Sequence, residues 1–342
     1  LKAGNIYATG QFNGYTDFDP GPGDYELDGD GEIFVLKLNP NGDFDWVKAF
    51  GSNNGGGSGN ALVSDGQGNI YVAGGFGGTI NIGGNTLKAS GSDCFIAKFS
   101  KNGTPQWSLG YGGNSGEAAV NLSVQPGKGV FVAGHFYDTT DFDPGTSTKK
   151  VVSEGKSDVF IQKFTTSGTF QWVKAIQGED RDEIGDIVTN QQGAVYLTGH
   201  YKEGVDLNPG SGVSSHYSQY GTDLFIVKLD QSGQYLWSHG IGKSNSDKGQ
   251  GLALHPSGDV LLVGSYTENI EFGDTKLYGG LQSNMYVTRI GQGGKFRWAE
   301  AFGSPDDDEC SDIAVNKEGQ VWITGSSNNN LDIQPGPGNH TL

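Results

Sequence analysis

The sequence predicts an all-β fold, a β-propeller of four-stranded antiparallel blades, and three observations lead there. Five tryptophans, Trp46, Trp107, Trp172, Trp237 and Trp298, recur at spacings of 61, 65, 65 and 61 residues. Each follows a glycine-containing turn, as in Asn102-Gly103-Thr104-Pro105-Gln106-Trp107. The 59 glycines among 342 residues fall between short Val, Ile, Phe and Tyr segments without a three-residue period, the distribution of turn residues in a sheet protein. A fixed period of this length marks a repeated supersecondary unit that must stack on its neighbours to bury both faces.

One unit reads in full from residue 118 to 177. The first strand runs from Ala118 to Val124, and the turn Gln125-Pro126-Gly127-Lys128-Gly129 returns the chain into Val130-Phe131-Val132-Ala133-Gly134. A longer connection leads to the third strand, Asp158-Val159-Phe160-Ile161-Gln162-Lys163-Phe164, and Thr165-Thr166-Ser167-Gly168 turns into the Trp172 strand. Four short antiparallel strands make one propeller blade. The second strand recurs at Ile6, Ile70, Val195, Val260 and Val321, each copy ending on glycine. The chain therefore holds five repeat periods with an overlap of roughly 25 residues. A closed five-bladed ring would leave the Val321 strand as a surplus copy of the Ile6 strand. The expectation is thus one propeller domain over 1–342, truncated at both ends and cut from a six- or seven-bladed ring. The tryptophans are read as structural, and the acid and base of strand three, such as Asp158 and Lys163, as partners of a neighbouring unit or of local backbone.

Stretches such as Gly68-Asn69-Ile70-Tyr71-Val72-Ala73-Gly74 joined to Asp93-Cys94-Phe95-Ile96-Ala97-Lys98-Phe99 resemble the bacterial SBBP β-propeller repeats and are similar to NHL repeats. The resemblance covers essentially the whole chain. It implies a secreted or cell-surface bacterial protein, a module of something larger with further domains, and no particular ligand.

The formal charge of −17, from 39 acidic and 22 basic residues, argues against nucleic acid and anionic membranes as partners. No apolar run approaches the roughly 20 residues that span a bilayer. Cys94 and Cys310 are too few for a disulfide framework.

Chemistry is expected in the connection between strands two and three. It carries Asp17-Phe18-Asp19-Pro20-Gly21, Asp141-Phe142-Asp143-Pro144-Gly145, Asp206-Leu207-Asn208-Pro209-Gly210 and Asp332-Ile333-Gln334-Pro335-Gly336. Two carboxylates facing one side of an extended stretch are hard oxygen ligands, so Asp17, Asp19, Asp141, Asp143, Asp206, Asn208 and Asp332 are candidate calcium ligands. The alternative is a turn that the carboxylates stabilise by accepting its N–H groups. Loops from strand four to the next unit add Glu179, Asp180, Asp182 and Glu183 to the same face, where His135 and His200 follow equivalent glycines. These six are the candidate ligand-binding residues. No nucleophile elbow, zinc spacing or nucleotide loop accompanies them, and no organic cofactor is expected. The leading expectation is a non-catalytic extracellular recognition or adhesion module that binds a protein or glycan on its acidic loop face. The alternatives are a carbohydrate-active hydrolase or lyase, and a structural spacer.

Overall fold

The computed structural model describes residues 4–53, 56–243 and 245–328, and all regular structure among them is β-strand. Two sheets are plain four-stranded antiparallel meanders in chain order. One comprises Glu183–Thr189, Val195–Tyr201, Asp223–Leu229 and Tyr235–Ile241, the other Lys248–Leu254, Val260–Tyr266, Asn284–Ile290 and Phe296–Phe302. Their second strands are covered on both faces, and Val260–Tyr266 is buried along its whole length, which is why these segments read as continuous apolar runs instead of alternating ones. The turn before the Trp237 strand is closed by the acid at its first position. Asp230 Oδ1 accepts from the Ser232 and Gln234 N–H groups at 2.8 and 2.9 Å, and Gly233 supplies φ of 79°.

The expected ring of uniform blades is not what the chain builds. The described residues form seven separate sheets of three, six, seven, four, four, two and two strands, so the propeller expectation is corrected, and with it the SBBP and NHL resemblance as a guide to architecture. The physical reason lies in the long connections. Thr139–Asp141 pairs with Pro105–Gly113 of the preceding repeat, Thr140 opposite Gly113 and Asp141 opposite Gly112. Gly204–Asp206 likewise pairs with the end of Phe170–Gly178, Gln177 opposite Asp206 and Gly178 opposite Val205. Insertions read from sequence as surface loops thus become extra strands that join one repeat to the last. At the chain ends the sheets are short: three strands at Ile6–Asp17, Glu26–Leu38 and Phe44–Phe50, and two at Asp308–Val315 and Val321–Ser327. Val321–Ser327 has one ladder and leaves Trp322 52% exposed, although Tyr71, Phe131, Tyr196 and Leu261 at the matching place are buried.

Contacts divide the molecule into two compact units, the described residues within Leu1–Ser153 and Ile161–Val173, and those within Glu154–Phe160 and Lys174–Leu342. The first unit holds a core of Ile70, Val72, Phe76, Phe95, Ala97 and Phe99. The second holds one of Tyr196, Leu224, Ile226, Leu262, Tyr286 and Ile290. Each fully buried aliphatic side chain contributes about 1.5–3 kcal/mol.

Neighbouring repeats are clamped through a single carbonyl. Within the first unit Lys98 Nζ and Trp107 Nε1 both donate to Thr166 O, at 3.1 and 3.3 Å, and Lys37 and Trp46 both donate to Lys101 O. Within the second, Lys228 and Trp237 donate to Gln292 O at 2.7 and 3.0 Å. Lys98 and Lys228 also lie over second-strand rings, Lys98 over Tyr71 at 5.1 Å and Lys228 over Tyr196 at 4.8 Å. The turn glycine abuts the clamping indole: a Cβ on Gly168, whose φ is 85°, would sit 3.0 Å from Trp107. Trp46, Trp107 and Trp237 are therefore structural, as half-buried clasps instead of deep core.

Candidate functional site

Three stretches of the second unit converge, around residues 154–158, 177–183 and 200–206. Their foundation is a buried carboxyl pair. Asp158 Oδ1 accepts from Gly178 N at 2.9 Å and Oδ2 from Glu154 N at 2.7 Å, which pins two of the stretches together. Asp182, fully buried, faces it. Burial first, and then the Asp158 charge, pushes the Asp182 carboxyl up to about 8, so the pair holds a proton at neutral pH. Gly178 passes between strands at this point, where a Cβ would strike Asp182 Oδ2 and lie 2.7 Å from Gly204 O.

The same pair recurs. Asp223 and Asp247 occupy it in the next repeat, where burial followed by the Asp223 charge pushes Asp247 up to about 7. In the first unit Asp93 and Glu117 occupy it, both raised mainly by burial, with Glu117 accepting from Thr140 Oγ1 at 2.8 Å. In the last repeat Asn284 replaces one acid opposite Asp308, and both approach Gly303. The acids at the start of strand three are thus caps for local backbone that also meet a second acid.

Above the Asp158–Asp182 pair lies a cleft of about 500 Å³ lined by Glu154, Glu179, Asp206, His216 and Tyr217, with Gly178 and Gly204 in its wall. The hairpin Gly204–Asp206 with Ser215–Tyr217 forms one side and leaves Tyr217 65% exposed. Ser214 Oγ lies 3.0 Å from Ser238 Oγ, which lies 3.0 Å from the Tyr235 hydroxyl, so the hairpin is tied to the sheet by a hydroxyl chain. Burial lowers the His216 imidazole, which is neutral at pH 7.

Of the residues expected from sequence, Glu179, Asp180, Asp182, Glu183, His200 and Asp206 come together here. Asp182 is the foundation and not a contact surface. His200 Nε2 lies 3.5 Å from Glu183 Oε2, and burial lowers its imidazole, leaving it neutral. His135 belongs to the first unit, edge-to-face with Tyr137 at 5.9 Å. Three described Asp-rich loops are built alike. Asp17 Oδ1 accepts from Asp19 N and Tyr25 N, both at 2.9 Å, and these two bonds hold its carboxyl below the usual range. Asp141 Oδ1 accepts from Asp143 N and Lys149 N, and Asp206 Oδ1 from Asn208 N and Ser214 N. Asp19, Asp143 and Asn208 each take the N–H of the glycine two residues on, which explains why Asn serves as well as Asp. Among the described residues no group of three or more His, Cys, Asp or Glu is placed to hold a metal ion. Asp332 lies outside the described residues. Cys94 and Cys310 are free and buried.

Sequence reasoning missed Glu154, His216 and Tyr217, although the hairpin that carries the last two recurs in the neighbouring repeats, as Thr139–Asp141 with Lys150–Val152 and Asn269–Phe272 with Thr275–Tyr278; the signal was an exposed aromatic one repeat period from another, Tyr217 and Tyr278. It also missed Lys156 and Lys202. Their signal was scarcity, two cations flanking the acidic loops of a chain with 22 basic residues.

No family model matches the chain. It is 24% identical over 204 residues to the regulatory protein FlaEY of Caulobacter vibrioides, covering 55% of this chain and 21% of that protein. It is 25% identical over 204 residues to an uncharacterized WD repeat-containing protein of Acanthamoeba polyphaga mimivirus, covering 54% and 15%. The chain thus spans about a fifth or less of the length of these curated relatives. A protein of unknown function from Bacteroides caccae aligns at a TM-score of 0.37 and 10% identity, over 86% of this chain and 93% of the other. The WD40 beta propeller domain of Doa1 aligns at 0.34 and 14%, over 95% of each. Likeness at these scores carries no weight for fold or function. What stands is a β-rich protein whose surface gathers aromatic and charged side chains into clusters, a surface of the kind used in recognition.

Proposed function

We propose that this chain is a non-catalytic recognition module of a secreted or cell-surface protein, and that its ligand is a glycan held in the Tyr217 cleft. One observation carries the reading: an exposed tyrosine ring stands beside Glu154, Glu179, Asp206 and His216 around about 500 Å³. An aromatic face covers the C–H face of a sugar ring, while carboxylates and a neutral imidazole accept and donate hydrogen bonds to its hydroxyls. The volume matches one or two sugar residues. A hydrolase reading would need a protonated acid against the glycosidic oxygen. Asp182 carries the proton but is sealed under the Gly178 strand, so it cannot deliver it.

A glycan array followed by calorimetry tests the proposal with wild type, Tyr217→Ala and Glu179→Gln. Selective binding weakened about five- to tenfold by Tyr217→Ala is expected, the loss of one stacking contact of about 1–1.4 kcal/mol. Selective binding that Tyr217→Ala leaves intact moves the site elsewhere, and product release from any bound glycan makes the protein an enzyme.

A further inference from the structure

The three stretches that wall the cleft also line a second cavity. Glu154, Glu179 and Gly204 face the first, while Lys156, Asp180, Arg181 and Lys202 line a hollow of about 290 Å³ together with His200 and Thr222. Each stretch changes sides within one to two residues, so the two compartments share a wall. The charge inverts across it. Three cations stand against one carboxylate in the second compartment, within a chain of formal charge −17.

The cations are not all consumed by neighbours. Lys156 Nζ pairs with Asp180 at 2.8 Å, Arg181 reaches Glu183 at 3.6 Å, and Lys202 is exposed at the pocket edge. Thr222 Oγ1 is buried beside them with no hydrogen-bond partner. The stretch bearing Lys202 is held in place: Glu203 sits at φ 64°, its carbonyl takes the Ser218 N–H at 2.9 Å, and Gly204 O takes Glu179 N–H at 2.8 Å. A non-glycine residue in this conformation costs about 1–2 kcal/mol, so the loop geometry is imposed by its surroundings.

We propose that the second compartment receives an anionic group of the same glycan, a carboxylate or sulfate carried by the sugar next to the one stacked on Tyr217. This rests on the recognition reading of the cleft and specifies the ligand as an acidic glycan. Arginine and lysine around a partly walled hollow bind such a group through charge-assisted hydrogen bonds, strengthened by limited solvent access.

Calorimetry at fixed ionic strength with three probes tests this: a galacturonate hexasaccharide, its carboxyl-reduced neutral counterpart, and a sulfated galactan hexasaccharide. Wild type is expected to bind at least one acidic probe about tenfold or more tighter than the neutral one. Lys156→Gln and Lys202→Gln, both surface changes whose melting temperatures serve as the folding control, should each erase about tenfold of that preference and leave the neutral affinity unchanged. The preferred probe distinguishes carboxylate from sulfate. Equal binding of acidic and neutral probes, or an acidic preference untouched by both lysine variants, overturns the inference, while loss of all binding in Tyr217→Ala would still uphold the cleft. Failure of all three probes also overturns it, and the cleft is then judged on its own broader array.

Discussion

Replacing Asp182 by Asn should remove a pH dependence from folding. The unfolded carboxyl titrates near the ordinary value of 3.8, and in the folded protein it is raised to about 8. Between those values the folded state keeps a proton that the unfolded state releases. The contribution of this group is therefore fully present below about pH 4 and is lost as pH rises toward 8. One extra bound proton makes the slope about 1.4 kcal/mol per pH unit, so roughly 2.7 kcal/mol disappears between pH 5 and 7. Asn is isosteric and uncharged, and it can donate to Asp158 as the protonated acid does. The last repeat already uses an amide in such a pair, at Asn284. The assay is thermal unfolding of both proteins from pH 4.5 to 8.5, read as the difference in melting temperature at each pH. Carboxyls with lowered values away from the pair, such as Asp17 and Glu271, tilt both curves in the opposite sense and cancel in that difference. The variant should gain on wild type steadily as pH rises. A difference flat across the range would refute the shared proton.

Three other changes have definite outcomes. Gly168→Ala should cost about 1–3 kcal/mol in denaturant unfolding, since it forces a Cβ into φ 85° and against Trp107, whereas Gly127→Ala, at φ 74° with open space, should cost less. Glu203→Gly should leave stability unchanged or raise it by up to about 1 kcal/mol, because Gly78 holds the matching place elsewhere at φ 65°; a clear loss would mean the Glu203 side chain has a role of its own. Asp141→Ala should lower stability by about 1–2 kcal/mol equally in EDTA and in millimolar Ca²⁺, since its oxygen accepts two loop N–H groups. Calcium stabilisation that vanishes in this variant would instead make the loop an ion site.

The repeated strands were legible because they depend on short-range chemistry. Val195-Tyr196-Leu197-Thr198-Gly199 is apolar on both faces and ends on a glycine, and it forms a fully buried second strand. The assembly was not legible, because Thr139–Asp141 and Gly204–Asp206 choose their sheet through pairing with glycine-bearing ends more than twenty residues upstream. Nothing in Asp206-Leu207-Asn208-Pro209-Gly210 distinguishes a rim loop from the start of a docked hairpin. The site shows the same division. Its acids were visible as a run in sequence, but their sorting was not: Asp182 lies inside as a proton-sharing partner, Glu179 in one compartment and Asp180 in another. Tyr217 had a counterpart one repeat on in Tyr278, but the sequence did not show which of the two borders the cleft.

The carbonyl clamp has a consequence for synthesis. These clamps run forward along the chain, from Lys98 and Trp107 to Thr166 and from Lys228 and Trp237 to Gln292, a wait of 55 to 68 residues. At about 5–20 residues per second, a nascent repeat spends several seconds with its lysine and indole unclasped before the next turn leaves the ribosome. The repeat just emerged is then the vulnerable one, and translation pauses placed shortly before residues 101, 166 and 292 would lengthen that exposure most.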